Sequence, residues 1–154
     1  MRAIELAGRA YNHCLDLHYR FWGLYHRTIH VYALQKHLTK LRHIPRFAWL
    51  KDINSQALQD IAQRIDRSYR LFWQHKENGF YGAPPKKQDV RKYTSFTLKQ
   101  SGWKLDEATH TIRLLGQNYR YFKSRPIEGK IQTVNVKREE NGDIFVSFVC
   151  RIES

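Results

Sequence analysis

The residues able to do chemistry in this chain are its cations and its aromatic rings, and the two are interleaved. Arg91, Lys92, Tyr93, Phe96, Lys99, Trp103 and Lys104 form one cluster, and Tyr119, Arg120, Tyr121, Phe122, Lys123 and Arg125 form another. Rings stack on unpaired bases and cations hold phosphate, which is the chemistry of single-stranded or folded RNA recognition. Alternation along Tyr119–Lys123 sends Tyr119 and Tyr121 to one side and Phe122 to the other, so about half of these rings are expected in a core. A third set of cations, Arg64, Arg67 and Arg70, recurs at helical spacing, and Lys86 and Lys87 form a pair after two prolines.

Other chemistries lack their residues. His26 and His30 are four apart, but no Cys, Asp or Glu nearby supplies a third ligand, and a structural zinc site needs four. Four acids, Glu5, Asp16, Asp60 and Asp66, precede an arginine by four residues, and Glu139, Glu140 and Asp143 sit in a hairpin turn. There is no nucleophile elbow, phosphate-cradling glycine loop or paired Cys/His motif. The expectation is a protein with no metal, no cofactor and no autonomous active site.

The elements that must position these groups fall into two classes. Over Ile53–Trp73, Ala57, Leu58, Ile61, Ala62, Ile65, Tyr69, Phe72 and Trp73 share one face of an amphipathic helix. Asp60 and Asp66 stand four residues ahead of Arg64 and Arg70, the favourable order for intrahelical pairs. Asp52, Asn54 and Ser55 are candidate N-caps, and Asn78-Gly79 is the expected stop. A second long helix is expected from Ala3 to Arg27, with Glu5 and Asp16 backing Arg9 and Arg20, and a shorter one runs from Val31 towards Pro45. Short connections imply antiparallel neighbours, hence a helical bundle over residues 1–78.

Residues 79–90 contain Gly79, Gly82, Pro84 and Pro85 and read as a linker. From residue 91 to 154 the period moves towards 2. Short strands are expected at Tyr93–Leu98, Trp103–Leu105, Thr111–Leu114 and Asn118–Phe122. Ile131–Lys137 and Ile144–Ile152 form a hairpin through Asn141-Gly142, the pair favoured in a type I′ turn. The last strand is apolar on both faces, which argues that it is central or covered. The fold class is therefore α+β by segregation: a helical bundle, then a small antiparallel β-barrel.

The 27 lysines and arginines against 14 acids leave a net charge of +13, with 42% hydrophobic content enough for a core. That balance favours an anionic partner, nucleic acid before a membrane surface. Cutting at Asn78, the first part carries 13 basic and 6 acidic residues and the rest 14 and 8, so both share the excess. No apolar run approaches the ~20 residues that span a bilayer, and the N-terminus lacks a signal peptide's apolar stretch. No membrane partner is expected. Cys14 and Cys150 read as small buried hydrophobes, and the cytoplasm is the expected compartment.

The succession helix, short helix, Phe47-Ala-Trp-Leu-Lys-Asp-Ile-Asn-Ser-Gln-Ala-Leu-Gln-Asp-Ile61, then an arginine-bearing helix ending at Phe72-Trp73, resembles the N-terminal region of TnpB proteins. These are OrfB-type, transposon-encoded RNA-guided nucleases of prokaryotes related to type V CRISPR effectors. Lys123-Ser-Arg-Pro-Ile-Glu-Gly-Lys-Ile131, the following Gln-Thr-Val-Asn-Val-Lys-Arg-Glu139 and Phe145-Val-Ser-Phe148 resemble the segment leading into that family's nuclease domain. The resemblance implies a helical recognition lobe and an oligonucleotide-binding-like wedge barrel that grip guide RNA and target DNA or an RNA–DNA duplex. It maps the contacts onto Arg64, Arg67 and Arg70, and onto Arg91, Lys92, Arg120, Lys123, Arg125 and Lys130, with Lys86, Lys87, Tyr93, Lys99 and Tyr121 as neighbouring candidates. Two departures stand out. The family's first barrel strand is missing, since Met1–Leu6 reads as helix, and its RuvC-like carboxylates and zinc ribbon are absent. The expectation is a nucleic-acid-binding fragment or relic without catalysis of its own, with an open barrel edge that a partner must cover. The alternatives are a helix-turn-helix DNA-binding regulator, the non-catalytic half of a split nuclease encoded separately, and a purely structural interaction module.

Overall fold

The structure is a computed structural model and describes residues 2–80, 82–89, 93–122 and 126–152. Helices precede strands throughout, so the class is α+β, and the chain divides into two compact units, Met1–Thr94 and Ser95–Ser154.

The first unit holds α1 (Arg2–Tyr25), α2 (Val31–Leu41), a 3₁₀ segment (Pro45–Asp52) and α3 (Ser55–Glu77). Asn54 is the cap of α3: its side chain accepts from the backbone N–H of Gln56 (2.9 Å) and Ala57 (3.4 Å), satisfying donors the first turn leaves orphaned. At the other end Gly79 turns to φ +79° and Phe80 N–H donates back to the His75 carbonyl, a Schellman closure. The core is aliphatic: Ile4, Ala7, Ala10, Cys14 and Leu15 of α1, Leu34, Leu38 and Leu41 of α2, and Leu58, Ile61, Ala62 and Ile65 of α3. Arg2 reaches Asp52, the His18 ring stacks on Tyr69 and Trp22 meets Trp73, so α1 and α3 run parallel. α2 and the 3₁₀ segment carry the chain back between them.

Residues read as a linker lie along α1. Tyr19 Oη donates to the Pro85 carbonyl, Lys87 pairs with Asp16 at 2.7 Å, and Asn12 makes two hydrogen bonds to the Gln88 backbone. Tyr93 then packs on Gly8, where an added Cβ would stand 2.7 Å from the Tyr93 Cβ. Gly8, Asn12, Asp16 and Tyr19 form one stripe at helical spacing, and the returning strap follows it from the C-terminal half of α1 towards its start.

The second unit is two antiparallel three-stranded sheets rather than a barrel. One orders β1 (Ser95–Leu98), β5 (Lys130–Arg138) and β6 (Ile144–Arg151); the other is the meander β2 (Trp103–Asp106), β3 (Thr111–Leu114) and β4 (Gln117–Arg120). The oligonucleotide-binding-like barrel fails to form for a geometric reason. β1 to β4 have four residues each, about 13 Å. Among the described residues β4 finds no partner beyond β3, and β1 pairs with β5 alone. A tight turn with Leu115 at φ 51° and Gly116 at φ 88° folds β4 onto β3 and keeps the meander separate.

Two further expectations are corrected. The type I′ turn occurs at Leu115-Gly116, not at Asn141-Gly142. The β5–β6 loop closes by Gly142 N–H to the Glu139 carbonyl (3.0 Å) and Glu139 N–H to the Asp143 carbonyl (2.8 Å). This is a type I turn with Gly142 at φ 91°, held by the Asn141 side chain, which accepts from Asp143 N–H. And β6, apolar on both faces, is an edge strand; the central position belongs to β5, whose Val134 and Val136 are fully buried. No helix among the described residues is long and apolar enough to cross a membrane.

Candidate nucleic-acid interface

The three arginines of α3 have three different surroundings. Arg64 is half-buried, its Nε 2.8 Å from Asp60 Oδ2 in an ion pair without aligned hydrogen-bond geometry, and it also hydrogen-bonds Tyr93. Asp60 and Tyr93 are both buried, so Arg64 braces α3 against the strap. Arg70 is exposed and pairs with Asp66 at 3.0 Å. Arg67, between them, is exposed and makes no ion pair with a described residue. Of the three, Arg67 offers its full charge to a ligand.

On the strap, Lys86 is exposed and lines a groove of about 380 Å³ together with Tyr11, Leu71, Phe72 and His75. Lys87 is occupied by Asp16. Tyr93 is 5% exposed, with its ring 5.5 Å from Tyr11, and belongs to the core rather than to a stacking surface. Arg91, Lys92, Lys123 and Arg125 lie outside the described residues.

An exposed aromatic surface lies at the C-terminal ends of α1 and α3, outside the expected contacts. The apolar stripes of α1 and α3 continue beyond their last buried residues, His18 and Tyr69, and among the described residues the rings there stay half-covered or exposed. Trp22 is 41% exposed and Tyr25 58%. Trp22 meets Trp73 at 5.1 Å, Trp73 meets Phe72 at 5.0 Å, and Phe21 meets Tyr25 at 4.7 Å. Cations sit on these rings: Lys76 Nζ lies 5.2 Å from the Trp73 centroid, and the Arg27 guanidinium lies over both Phe21 and Tyr25. The signal is present in the spacing, where Phe21, Trp22 and Tyr25 continue the α1 stripe by two turns beyond His18.

In the sheet unit the register gathers cations on one face of the meander. Lys104 faces Arg113, Arg113 faces Asn118, and Arg120 pairs with Thr111 on the same side. Like charges directly opposite are destabilising unless an anion lies over them. Tyr121 stacks on His110 (5.6 Å, 25°), and its hydroxyl is enclosed without a hydrogen-bond partner among the described residues. Burial, with Glu107 and Asp106 beside it, pushes that phenol upward. Lys99 is exposed, and its carbonyl accepts from Trp103 Nε1 at 2.8 Å. Lys130 opens β5 opposite Arg151, a second like-charge pair.

Buried titratable groups lie in the core of the helical unit. Burial holds the His18 imidazole down to about 4, with Asp66 pulling the other way, and neither ring nitrogen has a hydrogen-bond partner among the described residues. Burial pushes the Cys14 thiol up to about 12. Among the described residues no three His, Cys, Asp or Glu converge as metal ligands.

No family model matches the chain, and a search of curated proteins finds no match.

Proposed function

We propose that this chain is a nucleic-acid-binding protein that holds RNA, or an RNA–DNA duplex, by backbone charge and ring stacking and performs no catalysis by itself. In the TnpB-like reading, the RNA is the guide and base pairing supplies sequence choice. The observation that carries the proposal is the surface at the end of α1 and α3. Exposed Trp22 and Tyr25, with Phe72 and Trp73 behind them, are crossed by Arg27 and Lys76. Flat rings next to cations suit unpaired bases and their phosphates. Arg67 and Lys86 add charge within the same unit, and the Lys104–Arg113–Asn118 row gives the sheet unit a smaller phosphate-binding face.

The test is a binding titration with structured RNA, single-stranded RNA, RNA–DNA hybrid and duplex DNA across a salt series. The expected result is preference for RNA or hybrid, quenching of tryptophan fluorescence on binding, and affinity that falls steeply with salt by counterion release. Failure to bind any of them at low salt overturns the proposal. Preference for one duplex DNA operator favours the helix-turn-helix regulator instead.

A further inference from the structure

We infer that β6 is the interface of a two-fold dimer, pairing antiparallel with β6 of a second copy of this chain, independently of nucleic acid. Four observations converge. β6 is an edge strand among the described residues. Glu139 N–H donates to the Asp143 carbonyl, and the register continues as Lys137 with Phe145 and Asn135 with Ser147. Odd-numbered residues of β6 therefore turn their backbone groups towards β5, and those of Ile144, Val146 and Phe148 point away, free to pair.

The surface is apolar. Phe145 is 53% and Val149 60% exposed. On the opposite face Val146 and Phe148 stay half-exposed although their β5 neighbours Val136 and Val134 are fully buried. A groove of about 690 Å³ is lined by Phe145 and Phe148 of this strand and Ile152 just after it, together with Tyr121, Phe122 and Ile127.

Charge then selects the partner and the register. A two-fold axis normal to the sheet brings only residues of one parity opposite each other. With Ser147 on the axis, Asp143 faces Arg151 of the second copy and the reverse, giving two complementary charge pairs. In the same register Phe145 faces Val149, Ile144 faces Cys150, and Val146 faces Phe148, whose outward backbone groups then exchange hydrogen bonds. Centring on Phe148 instead sets Arg151 against Phe145 and loses both charge pairs. Residues 95–154 hold 10 basic and 7 acidic residues, a net +3, so this unit resists self-association far less than the +13 of the whole chain suggests.

The test is sedimentation velocity of the nucleic-acid-free chain over a concentration series at ~0.3 M salt, which screens the helical unit. A concentration-dependent dimer is expected. Asp143→Lys and Arg151→Glu alone each weaken it about tenfold, and the double reversal restores it to within about threefold. In a Cys150→Ala background, Ser147→Cys forms an intermolecular disulfide under mild oxidation, because non-hydrogen-bonded partners bring Cα atoms to about 4.5 Å. Val149→Cys, facing Phe145, does not. A monomer at every concentration overturns the inference, as does a dimer that the double reversal fails to rescue or that Val149→Cys cross-links as readily as Ser147→Cys. A monomer that captures an added β-strand peptide along β6 also overturns it, in favour of a foreign strand.

Discussion

The two units of this molecule leave different things uncovered. Residues 1–94 contain 17 basic and 7 acidic residues, a net +10, against +3 for residues 95–154. The helical unit exposes tryptophan and tyrosine under cations; the sheet unit exposes phenylalanine, valine and isoleucine beside a strand edge that no described residue pairs. A cut at Asn78 makes the charge look even, because it separates Lys86 and Lys87 of the expected linker, and Arg91 and Lys92 after it, from the helices. The strap's attachment to α1 moves that boundary and turns an even distribution into an uneven one. Charge with rings suits a nucleic acid; an apolar edge with little charge suits another protein surface.

The largest effect that could break this contrast is on RNA affinity. Replacing Arg27, Arg67, Lys76 and Lys86 together by Gln is expected to lower affinity on the order of a thousandfold and to flatten the salt slope by about 3. The matching set in the sheet unit, Lys104, Arg113, Arg120 and Lys130 to Gln, is expected to cost about tenfold. Equal losses in the two titrations would abolish the proposed asymmetry.

Acid should act on the helical unit through His18. Unfolded, this imidazole takes a proton near 6.5; folded, burial resists protonation until about 4. Below 6.5 the unfolded state binds more protons, so stability falls as pH drops from about 6.5 to about 4, by roughly 3 kcal/mol from this group. His18→Phe, which keeps a ring against Tyr69, should flatten urea-midpoint profiles across that window. An unchanged profile assigns the acid sensitivity elsewhere.

Next comes stacking. Trp22→Ala should cost about 2 kcal/mol in binding single-stranded RNA and much less for a duplex whose bases are already stacked, with a separate fall in Tm from the lost contact with Trp73 that Trp22→Leu keeps small. A similar loss on both ligands would make Trp22 a structural residue. The smallest effect belongs to the sheets. Leu115 occupies the left-handed region at φ 51°, where a residue with Cβ pays about 1–2 kcal/mol. Leu115→Asn should stabilise the sheet unit by up to about 1 kcal/mol in thermal unfolding and leave RNA binding unchanged.

What could be read from the residues alone follows from how local each interaction is. Helices α1, α2 and α3, the Asn78-Gly79 stop and the order helices-then-strands depend on neighbours within a few positions and were legible, while the cap of α3 was narrowed to Asp52, Asn54 or Ser55 and the structure selects Asn54. The arginine pairs of α3 form as spacing predicts. Those of α1 do not: Asp16 is taken by Lys87, and the Arg9 guanidinium lies 4.4 Å from the centroid of the Trp49 ring. Partners 71 and 40 residues away won over partners four away. The same distance problem hid the strap, the edge position of β6 and the two-sheet arrangement, since pairing between strands leaves no periodic mark. Of the candidate contacts, the structure leaves Arg67, Lys86, Lys99, Arg120 and Lys130 on the surface, encloses the Tyr121 hydroxyl, and commits Arg64, Lys87 and Tyr93 to holding the helical unit together.

The two cysteines differ in a way that makes the wild-type chain its own reporter. Cys14 has no exposed surface and a thiol pushed up to about 12, so it supplies almost no thiolate near neutral pH. Cys150 is partly exposed and lines the groove beside β6. A maleimide fluorophore should therefore attach at one position in the native chain, on the strand where two copies are inferred to meet. Its emission and accessibility then follow occupancy of that edge without any substitution.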